Sequence, residues 1–395
     1  MKYVILIVDG AAGLPIPARE NKTCLELSLT PNLDRLAKEG QLGMSATVPL
    51  GMEPSSAVAC MSVMGYDPLK FYKGRAAIEA TSLGIPIGED EVVFRCNFVN
   101  TEGGIMQSYC ADHISTEEAV ELIEALNTAL GSDRVSFHPG VGYRHILKLK
   151  GQNETLKAQT TPPHDISTLP ISDYLPKGEG SEILLRLIEA SREVLRSHPV
   201  NIRRQNEGSL TAQSIWLTWG SGQPPALPPF EKAYGKTAAI TSGVDLLRGL
   251  GIMMSMEILD IPGVTDGQDN DCVAQTEGAL EALERHDLAI IHYEAPDEAG
   301  HAGSAEQKIT AIEKADRDMV GRLAKYLGTS GRLLVMPDHP TPVELLTHTS
   351  EPVPYLLWGK DIKPGKGLRF TENEAGKSGI LYDPGWKLMK RFTEG

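Results

Sequence analysis

The sequence has few cysteines and little positive charge. Its five cysteines show no C-x-x-C spacing, so neither a disulfide framework nor a cysteine zinc site is predicted. The 38 Lys and Arg residues stand against 52 Asp and Glu residues, which gives a formal net charge of −14. Nucleic acid and anionic membranes both require a basic face, so neither is expected as the main partner. If the substrate is nonetheless an anion, bound cations must supply the local positive charge.

Long apolar runs are also missing. The run at 3–8 (YVILIV) ends after six residues at Asp9, which is too short for a signal peptide or a membrane span. Two nucleotide-binding patterns are incomplete: GKS at 376–378 is preceded by Thr371 where a P-loop has glycine, and GSG at 220–222 lacks a third glycine. No G-x-S-x-G element supports a hydrolase-type triad. We therefore expect a cytoplasmic globular protein, and its length predicts two domains.

Short apolar runs alternate with helical patterns along much of the chain. The runs predict strands that are buried on both faces, as in a parallel sheet between helices. These strands are predicted at 3–8, 287–293, 332–336 and 353–358. Helices are predicted at 31–40, 273–286 and 305–327. The alternation indicates an α/β layered fold.

The middle of the chain has a different pattern and predicts a smaller α+β insertion. Its predicted elements are strands at 92–99 and 143–149 and an amphipathic helix at 115–130. Ser115 is a good N-cap for that helix and is followed by an acidic first turn. The Pro- and Gly-rich segment YLPKGEGSE at 174–182 indicates the far boundary. The predicted domains are a discontinuous core of residues 1–75 and 181–395 and an inserted domain of residues 76–180.

Acidic and histidine side chains follow three of the predicted strands. In open α/β sheets, ligands bind at the carboxyl ends of the strands. The residues at these ends are Asp9, Asp297, His301, Asp338 and His339, and His348 precedes the last strand. Taken singly, each has a structural alternative, such as a turn, a helix cap or a helix-surface pair. Their repetition favours a site for divalent cations, which oxygen and imidazole ligands can hold.

A serine pair lies at another predicted helix start. Pro54, Ser55 and Ser56 precede a run of small and apolar residues, and the N-terminus of a helix favours an anion. A serine at this position can simply be an N-cap. If it also contacts a metal, its hydroxyl loses its proton more easily and becomes a nucleophile toward phosphorus.

Several longer stretches together resemble one known family. They are VDGAAGLPIP, TPNLDRLAKEG, MSVMGYDPLKFYKGR, FRCNF, TPPHDI, HYEAPDEAGHAG, KITAIEKAD and PDHPTPVELLTHTSEPVPYLL. The chain resembles, over essentially its whole length, the cofactor-independent phosphoglycerate mutases of the archaeal type, in the alkaline phosphatase superfamily. The resemblance implies a three-layer α/β/α core with a mostly parallel sheet, a smaller inserted α+β domain, and a mutase that interconverts 3- and 2-phosphoglycerate.

The resemblance also implies a site with two divalent metal ions. Mn²⁺ is favoured, with Zn²⁺, Mg²⁺ or Co²⁺ as alternatives. One metal's ligands would be Asp297, His301 and His348, and the other's would be Asp9, Asp338, His339 and Ser56. Ser56 would attack the phosphoryl group and carry it as phosphoserine, while the inserted domain would bind the substrate and exclude water. The partner would be a small phosphorylated metabolite, and the oligomeric state stays open.

Family positions that contact substrate are partly kept. The matching residues are Arg75, Arg95, Asn97, Arg144, His164 and Asp165. A surface ion pair remains the alternative for Arg75 and Arg144, and a turn with an Asx-type bond for His164 and Asp165.

The departures from the family remove charged groups. Ala57 stands where an acidic residue usually follows the nucleophile, Gln275 stands for a phosphate-facing lysine, and Tyr109, Cys110 and His113 stand at arginine positions. These changes resemble a bacterial branch of the family that has been proposed to be homoserine kinase. A phosphotransferase acting on another hydroxyl compound is therefore the alternative function.

Overall fold

The computed structural model of the protein describes residues 1–365 and 367–394. The strands are β1 (Tyr3–Val8), β2 (Gln41–Ser45), β3 (Glu91–Val99), β4 (Val135–His138), β5 (Arg144–Lys150), β6 (Ser214–Ser221), β7 (Ala238–Thr241), β8 (Glu257–Ile258), β9 (Leu288–Tyr293), β10 (Arg332–Met336), β11 (Val353–Gly359) and β12 (Leu381–Tyr382). The α-helices are α1 (Cys24–Leu27), α2 (Pro31–Glu39), α3 (Ser56–Val63), α4 (Pro68–Phe71), α5 (Arg75–Ser82), α6 (Thr116–Leu130), α7 (Ser181–Arg196), α8 (Pro199–Asn206), α9 (Phe230–Tyr234), α10 (Asp245–Met253), α11 (Cys272–Ala282), α12 (Ala295–His301), α13 (Ala305–Ala315), α14 (Gly321–Leu327), α15 (Glu372–Lys377) and α16 (Leu388–Glu394). Among the described residues, no helix is both long enough and apolar enough to cross a bilayer.

The chain divides into two compact units. The first comprises Met1–Tyr72 and the chain from Ala226 onward, and the second comprises Lys73–Pro225. The predicted boundary at residue 180 is therefore wrong, because α7 and β6 belong to the second unit. Strand β6 pairs antiparallel with β3, and the apolar face of α7 packs into the same core. The Pro- and Gly-rich segment on which the prediction depended is a loop within the second unit.

The first unit is built on an eight-stranded sheet in the order β12-β2-β11-β10-β1-β9-β7-β8. The predicted apolar runs are strands, and β1, β9 and β10 are buried throughout. All neighbours are parallel except β11, which is antiparallel to both β10 and β2. A parallel pair of strands needs a connection that crosses back to the opposite edge of the sheet. The chain leaves β10 and enters β11 at the same edge, so these two strands are antiparallel. That edge is where the histidine-containing segment 337–352 lies.

Helices cover both faces of this sheet. On β9, His292 groups with Cys60 of α3, and the next residue, Tyr293, lies against Cys272 of α11. Successive strand residues point to opposite faces, so α3 and α11 lie on opposite sides. This is the expected three-layer α/β/α arrangement. The predicted helix 305–327 is interrupted by a π-helical turn at Asp316–Val320 between α13 and α14.

The second unit has a four-stranded antiparallel sheet in the order β4-β5-β3-β6. Helices α6 and α7 bury their apolar faces, including Leu122 and Leu184, in one core with Phe94 and Leu147. Helix α6 begins as predicted, with the Ser115 hydroxyl accepting a hydrogen bond from the backbone N–H of Glu118 at 3.2 Å. The α+β character predicted for this part of the chain is confirmed.

Candidate metal centre

The predicted metal ligands of the first unit lie close together. Asp9 follows β1, Asp297 and His301 lie one helical turn apart on α12, and Asp338 and His339 follow β10. Parallel strands end at one edge of the sheet, and residues four apart share one face of a helix. The fold therefore brings these side chains to a single edge.

Asp297, His301 and His348 form one compact group. The His301 Nε2 atom lies 3.2 Å from Asp297 Oδ2 and 2.9 Å from His348 Nε2, and His348 Nε2 lies 3.3 Å from Asp297 Oδ1. Burial by itself would raise the pKa of Asp297, but the charges of His301 and His348 hold it well below its usual value. Burial lowers the pKa of His301, yet the Asp297 carboxylate outweighs it and raises the pKa to about 10. The Asp297 carboxylate is thus the group here that attracts positive charge.

Asp9, Asp338 and His339 form a second group. Their candidate ligand atoms all lie within 4.8 Å of one another. His339 Nε2 is 3.2 Å from Asp338 Oδ2 and 3.7 Å from Asp9 Oδ1. The same histidine also groups with Asp297 and His348, and its ring lies 3.9 Å from that of His348, measured between centroids. His339 therefore links the two groups.

Ser56 lies beside the second group. It is the first residue of α3, with Ser55 as N-cap, so the predicted helix start is confirmed. Its Oγ lies 3.3 Å from His339 Nε2. One turn later, the Cys60 thiol approaches Asp338 Oδ2 at 3.4 Å. The positive end of the helix dipole is thus directed to the same region as the acidic side chains.

The chemistry of these side chains fits a divalent cation. Asp9 Oδ1 is completely buried and has no hydrogen-bond partner among the described residues. Burial raises the pKa of Asp9 well above its ordinary value, and the charges of Asp338 and Asp297 raise it further. Buried charges are costly unless they are paired or bind metal. A cation at Asp9 would supply the missing partner.

His292 contacts Asp9 and was not predicted from the sequence. Its Nε2 lies 2.6 Å from Asp9 Oδ2, and its Nδ1 lies 3.0 Å from the Ser242 hydroxyl. Both side-chain contacts are buried. They hold Asp9 Oδ2 in place, and Asp9 Oδ1 faces the group formed with Asp338 and His339. A polar residue inside the apolar run 287–293 was the only local signal.

Lys308 joins the two loops that carry ligands, and it too was missed. Its buried ammonium donates hydrogen bonds to the backbone oxygens of Ala12, at 2.9 Å, and Thr341, at 2.6 Å. Thr341 in turn donates its hydroxyl to Asp297 Oδ1. These bonds tie the segment after β1 to the segment after β10.

Four of the predicted substrate-binding residues are connected in the second unit. Glu79 Oε1 accepts hydrogen bonds from Arg75 Nε, at 2.9 Å, and from Arg95 Nη1. Arg95 Nε donates to Asn97 Oδ1 at 2.8 Å. Asn97 is the register partner of Arg144 across β3 and β5. Burial alone would raise the pKa of Glu79, but the guanidinium groups of Arg95 and Arg75 hold it below its ordinary value.

His164 and Asp165 lie in a short 3₁₀ turn at Pro163–Ile166. Their side chains approach at 3.4 Å, between His164 Nε2 and Asp165 Oδ1. The His164 ring lies 5.7 Å from Trp219 and 6.3 Å from Tyr109, measured between centroids. His164 thus reaches the aromatic side chains around the arginine group.

The comparisons with known proteins agree with one another. A family profile described as 2,3-bisphosphoglycerate-independent phosphoglycerate mutase matches residues 37–201. The 2,3-bisphosphoglycerate-independent phosphoglycerate mutase of Methanothrix thermoacetophila is 45% identical over 398 residues, covering 100% of both chains. The chain belongs to this family. The mutase of Methanosarcina acetivorans is 43% identical and covers 96% of each chain.

Solved structures show the same fold. A protein of Pyrococcus horikoshii is 26% identical, with a TM-score of 0.80 over 99% of this chain and 97% of that one. The cofactor-independent phosphoglycerate mutase of Thermoplasma acidophilum is 23% identical, with a TM-score of 0.61 over 99% and 100%. The expected mixed α/β fold with a mostly parallel sheet is thereby confirmed.

Gln275 and Tyr109, where the resemblance led us to expect charged residues, make defined neutral contacts. Gln275 is completely buried; its Oε1 accepts from Asn270 Nδ2 at 2.9 Å and its Nε2 donates to the His292 backbone oxygen at 3.0 Å. Its amide therefore supports the core beside β9. Tyr109 packs its ring 5.9 Å from that of Tyr143.

Proposed function

We propose that this protein is a metal-dependent phosphoglycerate mutase that interconverts 3- and 2-phosphoglycerate through a phosphoserine at Ser56. The observation that carries the proposal is the position of Ser56, with its Oγ 3.3 Å from His339 in a cluster of buried aspartates and histidines. Full-length similarity to mutases at 45% identity supports it. A cytoplasmic location is part of the proposal, and the buried free cysteines suit a reducing compartment.

The two groups of side chains would hold two divalent cations. Asp297, His301 and His348 are proposed for one, and Asp9, Asp338, His339 and Ser56 for the other. Mixed carboxylate and imidazole ligands suit Mn²⁺, with Zn²⁺, Mg²⁺ or Co²⁺ as alternatives. Bound there, such cations lower the pKa of a hydroxyl and stabilise negative charge on a phosphoryl group.

Ser56 carries the phosphoryl group between two hydroxyls of the substrate. Its Oγ loses a proton and forms a bond to phosphorus as the O–P bond of the substrate breaks, and the released substrate oxygen takes up a proton. The neighbouring hydroxyl then loses its proton and attacks the phosphoserine, which breaks the Oγ–P bond, and Oγ takes up a proton to restore the serine. The N-terminal end of α3 favours the anionic phosphoryl group throughout.

The arginine group of the second unit would bind the anionic end of the substrate. Arg75 and Arg95 both bind the carboxylate of Glu79, and the charge of Arg144 also lowers the pKa of that carboxyl, so three guanidinium groups are gathered in one place. Guanidinium groups match the geometry of a carboxylate. Asn97, His164 and Asp165 would add polar contacts to the same ligand.

A coupled assay tests the proposal. The manganese-loaded protein is mixed with 3-phosphoglycerate, and formation of 2-phosphoglycerate is followed through enolase. We expect turnover, and we expect Ser56→Ala to abolish both turnover and a trapped phosphoprotein. The adjacent Ser55→Ala is the matched control and should keep the label. A label that persists in Ser56→Ala but is lost in Ser55→Ala would assign the nucleophile to Ser55 instead.

A phosphotransferase acting on another hydroxyl compound is the second candidate. The observation that favours it is Gln275, whose amide is held by Asn270 and by the backbone of His292 at a position where the resemblance implies a phosphate-facing lysine. Absence of turnover on 3-phosphoglycerate, together with turnover on phosphohomoserine, or on homoserine with a phosphoryl donor, would select this function.

A further inference from the structure

Trp219 has a backbone conformation that is unusual for its size. Its φ angle is +53°, in the left-handed region where bulky side chains are rare outliers. Residues held in such conformations cluster at functional sites, because the surrounding structure must maintain them. Glycine would relieve the strain at this position, yet the chain carries its largest type of side chain there.

A β-bulge produces this conformation. Val93 pairs with Ser221, and Arg95 pairs with Thr218. Two residues of β6, Trp219 and Gly220, therefore lie opposite one residue of β3, Phe94. Bulges are common beside active sites, where they redirect a side chain. A Cβ atom on Gly220 would lie 2.4 Å from the Phe94 ring, so close packing holds the bulge in place.

The bulge places the indole ring against the arginine group. The ring centroid lies 4.3 Å from Arg75 Cζ and 5.8 Å from Arg95 Cζ, and 5.7 Å from the His164 ring. Three residues that the sequence assigned to substrate therefore meet at one side chain. The residue itself was not among the predicted site residues.

The contacts fix the orientation of the Arg75 guanidinium. Its Nε is bound to Glu79, and its Cζ lies over the Trp219 ring. Because a guanidinium binds a carboxylate through its N–H groups, a guanidinium held in this way suits a planar carboxylate. Trp219 is half-buried, which leaves part of the indole for contact with the carbon atoms of a ligand.

We propose that Trp219 is a specificity-determining residue that orients Arg75 and Arg95 for the carboxylate of the substrate. The proposal rests on the proposed function, since it names the group of the substrate that this arginine group binds. Trp219 acts through the arginines, and the strained bulge is retained because it supplies that orientation.

The test compares Trp219→Gly with Trp219→Phe in the full-length, manganese-loaded protein. Loss of the cation–π contact should weaken binding of 3-phosphoglycerate about tenfold in Trp219→Gly, measured by titration calorimetry, and raise KM similarly while kcat stays within about twofold. Trp219→Phe keeps an aromatic face and should bind within about threefold of the wild type. Glycine relieves backbone strain but removes the packing of the indole, so the melting temperatures of both variants are recorded and binding is compared at a temperature where each is folded.

Ser255→Gly is the matched control. Ser255 also has a positive φ, of +59°, but it lies in the first unit and is exposed. The Ser255→Gly variant should bind 3-phosphoglycerate as the wild type does. Unaltered affinity in Trp219→Gly would overturn the proposal, as would equal weakening in Trp219→Phe and Trp219→Gly.

A second probe, O-phosphohomoserine, separates this proposal from the mutase function. If the wild type lacks mutase turnover but binds either carboxylate more tightly than Trp219→Gly does, the mutase function fails and the role of Trp219 stands. If neither anion binds to the wild type, the role of Trp219 fails as well.

Discussion

Replacing His292 with leucine removes the hydrogen bond that orients Asp9. The bond joins His292 Nε2 to Asp9 Oδ2 at 2.6 Å, with both side chains completely buried. Leucine has a similar volume, so the packing of β9 is largely kept. Without the imidazole, Asp9 Oδ2 has lost a buried donor, and the carboxylate is free to rotate away from the geometry that a cation requires.

The expected magnitude follows from the kind of bond that is lost. A hydrogen bond to a charged group contributes about 1.5–3 kcal/mol. If all of this free energy is lost from metal binding, the affinity for the metal falls by roughly 10- to 100-fold. A loss of this size is also usual when a residue that supports a metal ligand is removed. Ser242→Ala removes the 3.0 Å contact to His292 Nδ1 and also the hydrogen bond that Ser242 Oγ accepts from the Val244 backbone N–H at 3.0 Å. Loss of the neutral contact to Nδ1, of about 1 kcal/mol, corresponds to roughly fivefold in metal affinity.

The assay is a competition titration of Mn²⁺ against a chromophoric chelator, with the melting temperature of the metal-free protein recorded in parallel. Tyr293→Phe is the control, because Tyr293 is the adjacent buried residue and points to the opposite face of the sheet; it should bind metal as the wild type does. His292→Gln, which keeps a donor, should recover part of the affinity. Metal affinity in His292→Leu equal to that of the wild type, with the fold intact, would refute the reasoning.

Three further predictions concern metal, packing and pH. Chelation of divalent cations should lower the melting temperature of the first unit by about 5–10 °C, since ligand at 100 times Kd contributes about 2.7 kcal/mol; an unchanged scan would contradict a bound cation. Lys308→Met should lower the free energy of unfolding by about 1–3 kcal/mol and should also lower metal affinity, because the Ala12 and Thr341 carbonyls lose their shared buried donor. Urea titrations with and without Mn²⁺ measure both effects. A free energy of unfolding equal to that of the wild type would contradict this prediction. Burial lowers the pKa of His145 to about 3 from 6.5, so the unfolded chain takes up the proton first as pH falls. The contribution of neutral His145 to the free energy of unfolding is therefore complete above about pH 6.5. It falls by roughly 1.4 kcal/mol per pH unit toward about pH 3. Urea titrations at pH 7 and 5.5 should show a shallower decline in His145→Gln, and equal slopes would refute the assignment.

Much of the first unit's fold is predictable because its central strands are buried on both faces. Strands β1, β9 and β10 are mostly apolar and are buried throughout, so their sequences favour the interior of a sheet. The shorter β7 and β8 escaped prediction, since four and two residues give no periodicity. The end of the second unit was missed for a different reason. It depends on the pairing of β6 with β3 across more than a hundred residues, which local composition does not reveal.

Some residues of the candidate site are predictable from the sequence, and others are recognised only from tertiary contacts. Asp9, Asp338 and His339 follow apolar strands, so their spacing predicts that they meet. His292 lies within such a strand, and only its contact with Asp9 distinguishes it from a core residue. Trp219 depends on a bulge that exists only once two distant strands have paired. Supporting residues of this kind become visible when tertiary contacts are known.

The distribution of the ligands along the chain has a consequence for biosynthesis. Asp9 groups with Asp338 and His339, and the second unit interrupts the first between Tyr72 and Ala226. A ribosome therefore releases the N-terminal strand, Ser56 and the whole second unit before the last ligands emerge. Contacts between such distant segments form late. If the proposed site binds metal, the nascent chain therefore cannot complete it until Asp338, His339 and His348 have emerged and β10 has paired with β1.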